Sequence, residues 1–120
     1  MDKKKVVFNW HGIDYPLVFN LNVMERIQEE YGSVNAWGDL TDKDKGEPNA
    51  KAVIFGICEM INEGIDIENE ENVNTTGYVK KEFLTIKQVG RLITDVGLSE
   101  ATSRLNKTVT DSIHSDEKNS

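Results

Sequence analysis

The sequence predicts a single α+β domain, in which an N-terminal β-hairpin is followed by about four α-helices around a buried central helix. Three observations predict this fold class. Two short runs rich in β-branched and aromatic residues flank a glycine-containing turn near the start of the chain. Several later segments repeat apolar residues at spacings of three and four, with capping residues at their ends. One segment is apolar on nearly every side, and such a helix belongs at the centre of a fold.

The predicted hairpin occupies residues 6–19. Residues 6–10 and 15–19 are the two extended runs, and residues 11–14 (HGID) supply the turn between them. Pro16 has no amide hydrogen to donate, so the second strand is expected to begin there or to lie at an edge of the sheet.

The first predicted helix follows the hairpin directly and lies within residues 19–33 (FNLNVMERIQEEYGS). Its start is capped either by Asn20, which allows a hydrophobic staple, or by Asn22, which completes a capping box. Gly32 is expected to end the helix in the left-handed conformation, and a short further helical turn is expected at residues 33–37. The helix carries one apolar stripe, formed by Val23, Met24, Ile27 and Tyr31.

The predicted central helix contains residues 50–61, which are apolar on nearly every side. Pro48 suits the first turn of this helix, and Gly64 is expected to end it. Gly56 costs about 1 kcal/mol of helix propensity, so we expect a neighbouring element to pack closely against it. Five residues of this helix are predicted to be largely buried: Ile54, Phe55, Ile57, Cys58 and Ile61.

Two more helices are predicted in the last third of the chain. Thr85 and Gln88 form a capping box that opens the first of them, and Gly97 ends it. Ser99 is expected to cap the final helix. The apolar stripe along that helix is narrow and consists of Leu98, Ala101, Leu105 and Val109.

Three stretches carry no predicted regular structure, the first of which is a charged loop at residues 39–49. Residues 65–81 are acidic at first and then rich in Asn and Thr, without a clear periodicity. The final residues 115–120 (SDEKNS) are expected to be a disordered polar tail. The predicted domain therefore spans residues 1–114.

The charge balance and the apolar content restrict the partners of the protein. The 120 residues include 14 basic and 21 acidic side chains, for a formal net charge of -7, whereas nucleic-acid binders present a basic face. No stretch approaches the roughly 20 apolar residues needed to cross a bilayer, so we expect a cytoplasmic protein that binds neither nucleic acid nor membrane. The single cysteine, Cys58, lies among apolar residues and is expected to be a buried, unreactive thiol.

No motif in the chain supplies the catalytic side chains or metal ligands of an active site. His11 and His114 lie far apart in the sequence and, with one cysteine, give no zinc-ligand spacing. Asp42 and Asp44 resemble the start of an EF-hand loop, but Gly46 stands one position too early and no glutamate closes the loop. Neither a phosphate-binding glycine loop nor a nucleophile elbow is present. The sequence therefore predicts no enzyme, no cofactor and no metal site.

An alternative function is that of a small DNA-binding regulator. Residues 86–106 have the outline of a helix-turn-helix motif. However, the polar Ser103 and Asn106 stand where that motif needs packing residues, and the second helix offers few cations, Arg104 and Lys107. An ordinary helical hairpin is therefore favoured, and DNA binding is kept as the alternative.

The order of these segments resembles the phage tail assembly chaperone family of long-tailed phages and prophages. The resembling features are the hairpin, residues 19–37 (FNLNVMERIQEEYGSVNAW), the helix around residues 51–64 (KAVIFGICEMINEG) and the helix that begins at residues 85–90. The resemblance covers about residues 6–113 and rests on the order and spacing of short structural motifs.

This resemblance implies a non-enzymatic chaperone that binds the tape measure protein and keeps it soluble while the tail tube assembles. It makes the tail tube protein a second candidate partner and leaves self-association open. It also implies residence in the host cytoplasm, absence from the mature virion, and a longer product made by ribosomal frameshifting.

The stripe on the last helix is too narrow for a well-buried core face, so we expect part of it to meet the partner. Leu105→Asp is then predicted to abolish partner binding without unfolding the domain. The sequence is equally compatible with a stripe that simply packs on the helix starting at Thr85.

Overall fold

The computed structural model describes residues 5–119 of the chain, and the side chains of residues 5–113. In this part of the chain, a two-stranded antiparallel sheet leads into five α-helices, so the predicted α+β class and N-terminal hairpin are confirmed, with one helix more than expected. A short 3-10 helix, Lys43–Lys45, follows the second α-helix. The elements in chain order are β1 (Val7–Trp10), β2 (Ile13–Pro16), α1 (Leu21–Tyr31), α2 (Val34–Thr41), α3 (Ala50–Glu71), α4 (Ile86–Val96) and α5 (Leu98–Asn119).

The hairpin turns through two residues, a shorter turn than the sequence predicted. His11 and Gly12 have φ values of 54 and 77, and two successive positive φ angles are what a type I′ hairpin turn requires. The strands pair with Phe8 opposite Tyr15, and both side chains are buried. Pro16 therefore ends β2 rather than beginning it.

Side-chain caps mark the helix ends. The Val23 N–H donates to Asn20 Oδ1 at 3.2 Å, so the first of the two predicted caps is the one that α1 uses. Gly32, at φ 86, ends α1. Thr85 and Gln88 form the predicted capping box at the start of α4.

Helix α3 is longer than predicted and is the axis of the fold. It contains 22 residues, which corresponds to about 33 Å, and it packs against β2 and the four other helices. The predicted end at Gly64 is wrong, because the buried face of α3 continues through Ile65 and Asn69. The acidic residues after Gly64 are therefore mostly the solvent-facing side of the same helix.

Two glycines of α3 allow neighbouring elements to approach its backbone. A Cβ atom at Gly56 would overlap the indole of Trp37, whose Nε1 donates to the Ala52 carbonyl oxygen at 2.9 Å. The close packing predicted at Gly56 is therefore confirmed. A Cβ atom at Gly64 would lie 2.7 Å from the Pro16 carbonyl oxygen, so this glycine lets the hairpin rest on α3.

The predicted core of α3 is confirmed in part, since three of its five residues are buried: Ile57, Cys58 and Ile61. Ile54 and Phe55 are only half-buried. They face neighbouring helices at the edge of the core: the ring of Phe55 meets that of Tyr31 edge-on at 5.6 Å, and Ile54 lies against Gly90.

Residues 78–84, called the strap below, lie along α3 without forming a strand or a helix. The Asn62 carboxamide donates to the Leu84 carbonyl oxygen and accepts the Leu84 N–H, both at 2.9 Å. Asn69 forms the same pair of bonds with Lys81, at 2.9 and 3.0 Å. Asn69 also accepts the Tyr78 hydroxyl at 2.6 Å. Side chains of α3 thus replace the partner strand that the strap lacks.

Helix α5 differs from its prediction at both ends. It begins at Leu98, directly after Gly97, so Ser99 lies in its first turn instead of capping it. It continues to Asn119, so the backbone of residues 115–119 is helical where the sequence predicted a disordered tail. Ser120 lies outside the described residues, and the domain limit at residue 114 stays a prediction.

Candidate partner-binding surface

Helix α5 carries the four residues that were predicted to bind a partner. Ala101 and Leu105 are 0% exposed and belong to the core, so neither offers a surface to a partner, contrary to the prediction. Leu98 and Val109 are half-buried and pack at the margin of the core. The first half of the stripe is therefore an internal face, as the alternative interpretation held.

The second half of α5 extends beyond α4. Helix α4 has 11 residues and α5 has 22, which correspond to about 16 and 33 Å. Since both helices meet at Gly97, only the first half of α5 can lie alongside α4. Val109 and Ile113 stand one turn apart on the remaining half, and Ile113 is 45% exposed.

An open groove of about 700 Å³ lies between α2 and this half of α5. We call it the α2–α5 groove. Trp37 is almost completely buried and contributes to its floor, whereas Val34 and Val109 are half-buried. The apolar lining of the groove consists of Val34, Trp37, Val109 and Ile113.

The rim of the α2–α5 groove is mostly acidic and includes Asp39, Asp42, Asp44 and Lys45. Lys45 Nζ lies 2.7 Å from Asp39 Oδ1, and this hydrogen bond and charge raise the pKa of Lys45 above its usual value. Asp42 Oδ1 accepts the Asp44 N–H at 2.9 Å and so caps the 3-10 helix. In the loop that resembles an EF-hand start, the carboxylate of Asp42 is thus engaged within the protein. Across the described residues, no group of three or more His, Cys, Asp or Glu side chains is arranged to hold a metal ion.

The cations of the suggested helix-turn-helix motif are engaged inside the domain. Arg104 donates to the Val7 carbonyl oxygen at 2.9 Å and to Glu100 at 2.8 Å, and its guanidinium lies 4.9 Å from the ring centroid of Phe8. Lys107 Nζ lies 3.0 Å from a carboxylate oxygen of Asp111. These contacts fasten α5 to the hairpin and to itself, and they leave fewer charges available to phosphates.

Cys58 has the environment that the sequence predicted. It is buried, and that burial, with a smaller effect of the Glu59 charge, raises the pKa of its thiol to about 11. The Sγ atom lies 3.7 Å from the Leu84 carbonyl oxygen, to which it donates. The thiol is therefore protonated near neutral pH, and the thiolate needed for nucleophilic chemistry is scarce.

Sequence reasoning identified one wall of the α2–α5 groove and missed the other. Val109 belongs to the predicted stripe, whereas Val34 and Trp37 were assigned only to a short helical turn. Their spacing of three residues behind the Ser33 cap is an amphipathic signal, but the helix is only eight residues long. The pairing of α2 with α5 depends on tertiary packing, which no local pattern reveals.

Comparison with known proteins adds no relative. No family model matches the chain, and neither a curated protein nor a solved structure shows significant similarity to it. None of the helices within residues 5–119 is long and apolar enough to cross a membrane.

Proposed function

We propose that this protein is a non-enzymatic phage tail assembly chaperone, which holds an apolar helix of the tape measure protein in the α2–α5 groove. The observation that carries the proposal is the groove itself, where Val34, Val109 and Ile113 are incompletely covered beside an otherwise closed core. Contiguous exposed apolar residues with a polar rim are typical of protein-binding sites.

The shape of the groove suits a helical partner. Val109 and Ile113 project from successive turns of α5, and Val34 faces them across the groove from α2. An amphipathic helix can insert residues at spacings of three and four between two such walls, which is the usual mode of helix-in-groove binding. Tape measure proteins of long-tailed phages, by the resemblance described above, contain long apolar helices that need such cover before the tube forms.

The remaining features of the chain are compatible with a soluble assembly helper. The formal net charge of -7 opposes aggregation of a protein that must expose an apolar groove. The proposal includes residence in the host cytoplasm, departure before the virion matures, and the tail tube protein as a second partner. The competing interpretation is self-association, in which a second copy of the chain occupies the same groove.

The alternative proposal, a DNA-binding regulator, has less support. Arg104 and Lys107 are engaged within the domain, and the net charge opposes binding to a polyanion. A gel shift that weakens steeply with rising salt would favour this alternative over the chaperone.

Co-purification with the tape measure protein of the same genome tests the proposal. Ile113→Asp places a charge in the α2–α5 groove and is expected to abolish co-purification, because a carboxylate cannot be desolvated against an apolar helix without a large cost. The matched control is Ile13→Asp, which changes a residue of similar exposure, 41%, in the hairpin. This control should keep the partner.

Both variants should be checked for native circular dichroism before the comparison is made. Loss of the partner from both, or from neither, would contradict binding in the α2–α5 groove. Failure of the unmodified protein to bind the tape measure protein would overturn the chaperone proposal as a whole.

A further inference from the structure

A second open surface lies where α1, α3 and the strap meet. It contains a depression of about 320 Å³ that shares no lining residue with the α2–α5 groove. The ring of Phe83, on the strap, forms part of its wall and is 57% exposed. An aromatic ring of this size left in water at the edge of a depression is a candidate anchor for a binding partner.

Apolar surface continues from this depression toward the N-terminal end of α3. Phe55 stands one turn before Glu59, which lines the depression, and Phe55 is half-buried. On α4, Ile86 is 52% exposed and stands one turn before Gly90, which lies against Ile54. We call the surface that consists of this depression, Phe55 and Ile86 the α3 face. From Phe55 to Asp66 it measures about 16 Å along α3, which is enough for three turns of a helical partner.

The α3 face is strongly acidic at its other end. Four carboxylates and one guanidinium line the depression: Glu25, Glu59, Glu63, Asp66 and Arg26. The guanidinium of Arg26 is already shared between Glu29 at 3.0 Å and Glu59 at 3.6 Å. Glu25 and Asp66 are exposed and make no ion pair with another described residue.

Neighbouring side chains hold one carboxylate of this acidic end in place. Glu63 Oε2 accepts hydrogen bonds from Asn20 at 2.7 Å and from Asn22 at 2.9 Å. The strap that carries Phe83 is tied to α3 by Asn62 on the adjoining residue, Leu84. The backbone of Phe83 and the carboxylate of Glu63 therefore have fixed relative positions, which lowers the entropy cost of binding at this part of the surface.

We propose that the α3 face binds an amphipathic helix that is rich in lysine or arginine and belongs to a partner protein. A neutral apolar helix would bury Glu25 and Asp66 without compensating charges, which is costly. A second copy of this chain would place two acidic surfaces against each other in a symmetric contact, and like charges disfavour that contact. A cationic amphipathic helix can cover the apolar part of the α3 face and also neutralise its carboxylates.

The test uses the full chain and a synthetic, fluorescently labelled leucine–lysine peptide of about 14 residues, which is long enough for the α3 face. Binding is measured by anisotropy at low and at physiological salt. The double variant Glu25→Lys with Asp66→Lys should bind the peptide about tenfold more weakly or worse, because two attractions become repulsions. The matched control is Glu30→Lys with Glu70→Lys, which makes the same charge change on the same two helices outside the depression and should bind within about twofold of the unmodified chain.

A second pair of variants tests the apolar anchor. Phe83→Ser should weaken peptide binding, whereas Val79→Ser, a change at an exposed residue of the same strap, should not.

Equal binding of the peptide by the two charge variants would overturn the proposal, since the attraction would then follow the net charge of the protein alone. A leucine–glutamate peptide that binds as tightly would also overturn it, and so would a dimer that Phe83→Ser dissociates. The groove variant Ile113→Asp should retain peptide binding, so this inference and the proposed chaperone function can fail independently.

Discussion

Two asparagines show how single residues determine the path of the strap. Asn62 and Asn69 are seven residues apart on α3, a rise of about 10.5 Å, and they bind Leu84 and Lys81, three residues of extended chain or about 9–10 Å apart. The two spacings match, so each carboxamide can face one peptide group. The sequence could not reveal this, because Asn69 stands in an acidic stretch where an asparagine is also typical of a loop, and because no local pattern pairs either asparagine with a residue of the strap.

The Asn69→Ala variant tests the contribution of this clamp. It removes three hydrogen bonds and leaves the Lys81 N–H and carbonyl without their partner, so we expect a loss of about 2–3 kcal/mol in the free energy of unfolding. Urea denaturation gives this value. Asn74→Ala, at an exposed residue between α3 and the strap, is the control and should change stability by less than about 0.5 kcal/mol. Similar losses in both variants would mean that the clamp contributes nothing specific.

The thiol of Cys58 gives a second prediction for a single residue. Its pKa in the folded state is raised from 9.0 to about 11, so the unfolded chain releases this proton first as the pH rises. The stabilising contribution is therefore complete below pH 9 and is lost between about pH 9 and 11. Cys58→Ala should remove this part of the alkaline loss of stability, while the part due to Tyr31, whose pKa burial also raises, should persist. A native chain whose thiol reacts with a disulfide reagent at pH 8 as fast as the unfolded chain would contradict the prediction.

At the scale of elements, the starts of α1 and α4 were predictable, whereas the start of α5 and several helix ends were not. Asn20 and Thr85 are local signals, since each cap bonds within three residues of itself. Gly64 is a different case, because its role depends on the Pro16 carbonyl oxygen, which is distant in the chain. A glycine in a helix pattern has the same appearance whether it ends the helix or admits a neighbour, and only the tertiary structure distinguishes the two roles.

The same ambiguity yields a paired prediction for helix glycines. In isolated helices, Gly→Ala is favourable by about 1 kcal/mol. Gly38→Ala in α2 should show that gain, because a Cβ atom there meets nothing within 4 Å. Gly56→Ala should instead destabilise the protein by about 1–3 kcal/mol, since the new methyl group would overlap the indole of Trp37. Thermal melts of the two variants should shift in opposite directions, and a higher melting temperature for Gly56→Ala would show that α2 can move away from α3.

At the scale of the whole molecule, the candidate site depends on where the core ends. The stripe along α5 has one chemical character from Leu98 to Val109, and the sequence predicted one role for it. The structure divides it, because α4 covers only the first half, so Ala101 and Leu105 belong to the core and Val109 lies in the α2–α5 groove. The lengths of α4 and α5 and their junction at Gly97 determine which residues of the stripe are covered. The apolar pattern of the stripe contains neither piece of information.

Two aspartate substitutions on α5 test this division directly. Leu105→Asp buries an unpaired carboxylate in the core, so we expect a loss of at least about 3–5 kcal/mol, a large part of the 5–15 kcal/mol typical of whole domains. This expectation replaces the one made from the sequence, that Leu105→Asp would leave the domain folded. Ile113→Asp, two turns further along the same helix, should change the free energy of unfolding by less than about 1 kcal/mol, because its side chain is already partly in water. Urea unfolding followed by circular dichroism separates the two outcomes. If Leu105→Asp is as stable as the unmodified chain, α5 does not pack tightly against the core, and its whole apolar stripe is then available to a partner.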